Sequence, residues 1–213
     1  NTDHGFRDVS DEVGLDHVTL PMGSNFGDLD NDGFPDFYLG TGYPAYEGVI
    51  PNRMFHNRAG TSFSDVTTPG GFGHLQKGHG VAFADFDNDG DQDIFIEMGG
   101  AFAGDAFSNA LFENPGSGHH WLKVMLQGNE SNRLGIGVRI CATIPERQGT
   151  RSVYKWVNSG GSFGATPLSC QRIGVGSADS VQTLEVYWPT SDTTQRFTNV
   201  DVDQCLRIVE GED

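Results

Sequence analysis

The chain has 213 residues, 36% hydrophobic and 11% aromatic, enough to bury a core, and thirteen Lys plus Arg against twenty-nine Asp plus Glu give it a net charge of −16. Twenty of the acids are Asp and Gly stands at 30, a composition poor in helix formers. With only three Lys, the chain lacks the clustered cations that nucleic acid or anionic membranes require, and no apolar run reaches the roughly 20 residues that span a bilayer. The start, Asn1-Thr2-Asp3-His4, has no basic or apolar leader, so the chain reads as soluble, as a mature secreted form would.

The charge is uneven. Residues 1–115 hold nineteen acids and four bases, whereas residues 116–213 hold ten acids and nine bases. The turn-rich Asn114-Pro115-Gly116-Ser117-Gly118 marks the junction, which predicts two domains, 1–115 and 116–213.

The first half repeats itself at an offset of 57. Phe6-Arg7-Asp8-Val9 recurs as Phe63-Ser64-Asp65-Val66, the acidic run Asp28 to Asp36 as Asp85 to Asp93, and Asn52 to Asn57 as Asn109 to Asn114. Strands are predicted at Phe63–Val66, Val81–Phe86, Ile94–Met98 and Ala110–Glu113, separated by Gly and Asn/Asp turns. Four short strands per period is the pattern of a propeller blade. Closed propellers have about 4–8 blades, and four periods of 57 exceed 213 residues, so the fold class is all-β with two blade-like repeats and no closed propeller. Phe6–Val9 then corresponds to the last strand of a preceding unit, and an unpartnered strand at one end complements an open sheet edge at the other.

Within each repeat, D-x-D-x-D-G-x-x-D sets carboxylates at loop positions 1, 3, 5 and 9 and a Gly at 6 for a tight turn. Asp28, Asp30, Asp32 and Asp36, with the Phe34 carbonyl at position 7, form the first candidate site, and Asp85, Asp87, Asp89 and Asp93, with the Asp91 carbonyl, the second. An all-oxygen cage with several carboxylates suits Ca²⁺ better than Mg²⁺, which keeps its waters. Two Ca²⁺ sites are therefore expected, since like charges crowded into one turn repel unless neutralised. An EF-hand is excluded: position 12, where a bidentate Glu is needed, is Leu39 or Ile96, and the flanks read as strands.

The second half shows short alternating strands at Leu122–Leu126, Val138–Ile144, Val153–Val157, Leu184–Trp188 and Leu206–Val209, with Leu184, Val186 and Trp188 on one face, which predicts a compact β-sandwich or barrel. Gly160-Gly161-Ser162-Phe163-Gly164 fits the nucleophile-elbow pattern, but Ala165-Thr166-Pro167 follows instead of a helix start and no His occurs after His120. His119-His120 reads as surface linker, because adjacent side chains point to opposite faces of a strand. Cys141, Cys170 and Cys205 permit either three inert thiols or one disulfide and a free thiol, and Asn129-Glu130-Ser131 is a glycosylation sequon in a loop. No catalytic constellation emerges, and the chain is read as not an enzyme.

Phe-x-Asp-Val, the acidic loop and Asn-x-x-Phe-x-Asn together resemble the FG-GAP/VCBS repeats of secreted and cell-surface proteins, including integrin α-subunit blades. In the second half, Trp121-Leu122-Lys123-Val124, Ser131 to Arg139, Ser159 to Phe163, Ile173-Gly174-Val175-Gly176, Leu184 to Pro189 and Val200 to Leu206 are similar to the ASPIC/UnbV domain. The order is that of cartilage acidic protein-like proteins. The resemblance implies calcium-bound β-repeats in an extracellular protein without established catalysis. The expected function is thus a calcium-stabilised structural or adhesive module, self-associating head to tail into a cell-surface filament. The competing expectation is a monomeric module that binds a glycan or protein ligand.

Overall fold

The computed structural model describes residues 5–42, 45, 47, 48, 50–100, 103–163 and 170–212. It is all-β, with fourteen strands in four sheets among the described residues. Blade 1 is an antiparallel sheet in the order β1 (Pro21–Gly27), β2 (Asp36–Thr41), β3 (Arg53–Asn57), β4 (Phe63–Asp65). Blade 2 follows with β5 (Gly78–Ala84), β6 (Asp93–Met98) and β7 (Ala110–Phe112). It stops at three strands, because the position 57 residues after β4 begins β8 (His120–Gln127), which belongs to the next domain. Phe6–Val9, expected as a strand, lies outside the sheets among the described residues.

The blades pack face to face. Tyr38 and Met54 of blade 1 meet Val81, Ile94, Ile96 and Met98 of blade 2, with Leu29, Phe72, Phe83 and Phe112 around them. This inter-blade core is the first half's substitute for the closed ring of a propeller.

The second half is a sandwich of two sheets. One has the order β10 (Thr150–Trp156), β9 (Arg139–Pro145), β12 (Ser180–Trp188), β13 (Thr193–Asp201); the other has β11 (Gln171–Gly176), β8, β14 (Gln204–Val209). β14 runs parallel to β8, and every other pairing is antiparallel. Alternation buries Leu122, Val124 and Leu126 of β8 against Ile140, Ala142 and Ile144 of β9 and Leu184, Val186 and Trp188 of β12. Both β11 and β13 escaped the sequence reading.

Just after β14, Glu210 accepts the backbone N–H groups of Asn129, Glu130 and Ser131 at 2.7–2.8 Å on one oxygen and the hydroxyls of Ser131 and Ser191 on the other. Burial pushes its carboxyl up, but these donors outweigh burial and hold it at about 2. The sequon Asn129 is exposed in this loop, while its side-chain amide donates to the Glu210 carbonyl at 2.9 Å. The three cysteines are free thiols: Cys141 and Cys170 are half-buried, and Cys205 is exposed rather than buried.

Candidate metal centre

Both acidic loops are built by the same local bonds. Asn31 and Asn88 take positive φ, 53° and 65°, and Gly33 and Gly90 follow at 88° and 106°, so the turn needs Gly at position 6. The position-1 carboxylate accepts the position-6 N–H, Gly33 to Asp28 at 2.8 Å and Gly90 to Asp85 at 3.2 Å. Position 3 accepts from position 5, and position 5 from position 7, so the amides of Phe34 and Asp91 are tied to Asp32 and Asp89.

In consequence Asp28, Asp30 and Asp32 bring ligand oxygens within 4.8 Å of one another, and so do Asp85, Asp87 and Asp89. The position-9 carboxylates are spent differently. Asp36 accepts the N–H groups of Leu29 at 3.0 Å and Asn57 at 2.7 Å, and Asp93 those of Phe86 at 2.8 Å and Asn114 at 2.9 Å. They brace the loop against the third strand. Asp36 also groups with Asp30 and His56, whose Nε2 lies 3.1 Å from Asp30, a neighbour the sequence reading did not single out. Asp91 turns its carboxylate to the Asn31 amide at 2.7 Å, joining loop to loop.

The donor set suits a hard cation on an observation of its own. Asp28 is only 4% exposed, yet its Oδ1 has no hydrogen-bond partner, and Oδ1 of Asp85 is likewise buried and unpartnered. Buried carboxylate oxygens are nearly always satisfied, so the same orphan at position 1 of both loops points to a ligand of opposite charge. Burial, with the Asp32 charge added, pushes the Asp28 carboxyl up to about 7; Asp32 is raised by burial as well. Asp28, Asp30 and Asp32, or Asp85, Asp87 and Asp89, would hold Ca²⁺, which would supply the neutralising charge and cross-link the turn.

The second half closes over these loops, which the sequence did not announce beyond placing nine of the thirteen bases there. Lys123 and Arg172 bond Oδ2 of Asp85 at 2.5 and 3.0 Å, and Arg172 also donates to the Gly90 carbonyl. Burial raises the Asp85 carboxyl, but the Lys123 bond and the two cationic charges outweigh it and hold it below the usual carboxylate range. The half-buried Lys155 faces Asp28 without a bond, and burial lowers its pKa against the opposing pull of that carboxylate. A Cβ on Gly33 would collide with Arg151, and one on Gly90 with Trp121. The Gly176 N–H donates to the Asn31 carbonyl at 2.8 Å. His119 and Ser117 reach the Asp30 carbonyl at 2.7 and 2.6 Å, and His120 pairs with Asp203 at 2.6 Å, so this stretch is a docking segment and not a loose linker.

Of the nucleophile-elbow residues, Gly164 lies outside the described residues; Ser162 is buried and accepts the Val81 N–H at 3.4 Å. That places it in the contact between β5 and the sandwich.

The blades and their loops define a β-repeat array joined to a β-sandwich. Residues 28–96 match the family model described as an FG-GAP-like repeat, and residues 128–213 match the one described as ASPIC and UnbV. The chain thus carries an FG-GAP-like repeat followed by an ASPIC/UnbV domain. A search of curated proteins returned no match. FG-GAP repeats are typical of extracellular adhesion and binding proteins, and no described helix is long and apolar enough to cross a membrane.

Proposed function

We propose that the chain is a calcium-stabilised structural or adhesive module, secreted to the cell surface, whose copies associate head to tail into a filament. The calcium part is supported by the two position-1 carboxylates with an unpartnered buried oxygen. The self-association part is carried by a single observation: among the described residues blade 2 has three strands where blade 1 has four, which leaves the outer edge of β7 without a paired strand. The reading is not enzymatic.

Sedimentation velocity and negative-stain electron microscopy of the protein in Ca²⁺, then in EGTA, test it. Elongated assemblies in Ca²⁺ that shorten or melt in EGTA are expected; a monomer at every concentration removes the filament, and an unchanged melting temperature in EGTA removes structural calcium.

One surface favours the second reading, a glycan- or protein-binding module. Tyr154 and Trp156 lie on the edge strand β10, both more than half exposed, with ring centroids 6.2 Å apart and planes within 28°. Exposed aromatic pairs of this kind suit stacking ligands. A Trp156→Ala variant that loses retention on immobilised polysaccharide while keeping its assembly state supports this role beside the first.

A further inference from the structure

In blade 1 the fourth strand supplies what blade 2 lacks. Phe63, Ser64 and Asp65 of β4 pair with Asn57, His56 and Phe55 of β3. The Val66 N–H donates to the Met54 carbonyl at 2.9 Å, and the Met54 N–H to the Thr67 hydroxyl at 3.0 Å. The Phe63 ring packs edge-on against Phe37, 5.2 Å between centroids.

The segment that repeats β4 is present and already shaped. Hydrogen bonds Val13 to Val9, Gly14 to Asp11, Leu15 to Ser10 and His17 to Leu15 reproduce, at an offset of 57, those of Gly70 to Val66, Gly71 to Thr68, Phe72 to Thr67 and His74 to Phe72. Asp8 accepts the Ser10 N–H at 2.9 Å, as Asp65 accepts that of Thr67 at 2.9 Å. Residues 8–17 therefore fold as 65–74 do, yet Phe6 is 94% exposed. Within its own chain this arm is fastened to blade 1, through the Phe63 N–H to the Val13 carbonyl at 2.7 Å.

The receiving edge is equally well defined. Ile94, Leu111, Phe112, Glu113, Asn114 and Pro115 line a cleft of about 460 Å³ beside β7. Ile94 is the counterpart of Phe37, against which Phe63 packs. Leu29, Tyr38 and Met54 form the inter-blade core, while their counterparts Phe86, Phe95 and Leu111 carry the same positions on the far side of blade 2, Phe86 50% and Leu111 55% exposed. Phe83 packs in that core, and its counterpart Phe26, 63% exposed, lines one cavity with Phe86 and with Met125 and Lys155 of the sandwich.

Resting on the self-association proposed above, we infer that Phe6–Val9 of one copy is the fourth strand of blade 2 in the next copy. The register follows from β3 and β4: Phe6 opposite Asn114, Arg7 opposite Glu113 and Asp8 opposite Phe112. The Val9 N–H meets the Leu111 carbonyl, the Ser10 hydroxyl accepts the Leu111 N–H, and the Phe6 ring seats on Ile94. Arg7 exchanges its exposed pair with Glu12, which contributes little, for a cross-strand pair with Glu113. Blade 2 then gains its fourth strand from the neighbouring copy, and because donor and acceptor are different surfaces the contact is heterologous.

Phe6→Asp tests the inference by sedimentation across a concentration series in Ca²⁺. Phe6 is solvated in the single chain, so the variant is expected to melt like the wild type. Its critical concentration for assembly is expected to rise roughly 10- to 100-fold, the loss of one buried aromatic ring per contact. Arg7→Glu and Glu113→Arg alone are each expected to weaken assembly about threefold or more, and together to restore it. Wild-type assembly with Phe6→Asp unaffected, or a double variant no better than the singles, overturns the strand exchange and its register while leaving self-association standing. A wild type that never assembles overturns both.

Discussion

In the first acidic loop Asn31 is fully buried and Asp28 has no bonded cation, whereas in the second Asp87, Asn88 and Asp89 are exposed and Asp85 is gripped by Lys123 and Arg172. The internal hydrogen bonds of the two loops match one for one, so the loop sequence alone sets their shape. What differs is the neighbourhood, and with it the sign of the pKa shift at position 1, upward for Asp28 and downward for Asp85. The first loop concentrates negative charge that Lys155 and His56 offset only in part, with no cation bonded to Asp28; in the second, Lys123 and Arg172 bond Asp85 directly. Ion affinity is accordingly expected to be higher in the first.

The largest test of that difference is chelation. An ion held at 100 times its dissociation constant adds about 2.7 kcal/mol, which for a chain of this size corresponds to a melting shift of roughly 5–10 °C. EGTA should produce that shift in calorimetry, and Asp28→Ala should reproduce most of it in Ca²⁺. Asp87→Ala, in the solvated loop, should cost clearly less; equal losses would erase the distinction between the loops.

Somewhat smaller effects are expected at position 6. Gly33→Ala and Gly90→Ala each force a side chain onto positive φ and into the sandwich domain, at about 1–3 kcal/mol. Denaturant unfolding should show both losses with and without Ca²⁺, because the collision is with Arg151 and Trp121 and not with an ion.

Glu210 sharpens the comparison from the opposite side: like Asp28 it is a buried carboxylate, but with five donors its need is met by the protein. Glu210→Gln should cost about 1–3 kcal/mol regardless of Ca²⁺. Its folded pKa of about 2 lies below its ordinary value, so its contribution is complete above roughly pH 5 and fades as the pH falls toward 2. A wild-type acid unfolding curve that the variant merely parallels would contradict this. The smallest expected effect is in affinity: Lys123→Met removes one competing charge and should tighten the second loop about tenfold, or 1.4 kcal/mol, read by titration calorimetry.

The loops and blades were legible in the sequence because they depend on local spacing. The period of 57, the alternate aspartates and the Gly at position 6 fix each turn by bonds within nine residues. The alternation of Leu184, Val186 and Trp188 announced β12 because one face is buried. β13, Thr193–Asp201, is a largely exposed edge whose two apolar side chains, Phe197 and Val200, lie three residues apart, and β11 is interrupted by Gly174; neither carries a period-2 signal. The cations at the loops were hidden for a different reason. Lys123 and Arg172 lie 38 and 87 residues from Asp85, and only the docking of two domains brings them there. The same docking turned His119 from an expected linker residue into a contact of the first loop.

β14 lies beside β8, pairing Gln204 with Leu122 across most of the sandwich sequence. During synthesis, β8 emerges with its edge bare, and the strand that covers it is made only after the other strands of the sandwich. Contacts this distant in sequence form slowly, so the domain has no route to completion by piecemeal growth. A nascent chain halted before Val209 would lack both the covering strand and the Glu210 latch on the 129–131 loop, and so would any product of proteolysis that trims this end. Loop 2 would share that fate, because the strand that carries Lys123 is the one β14 covers.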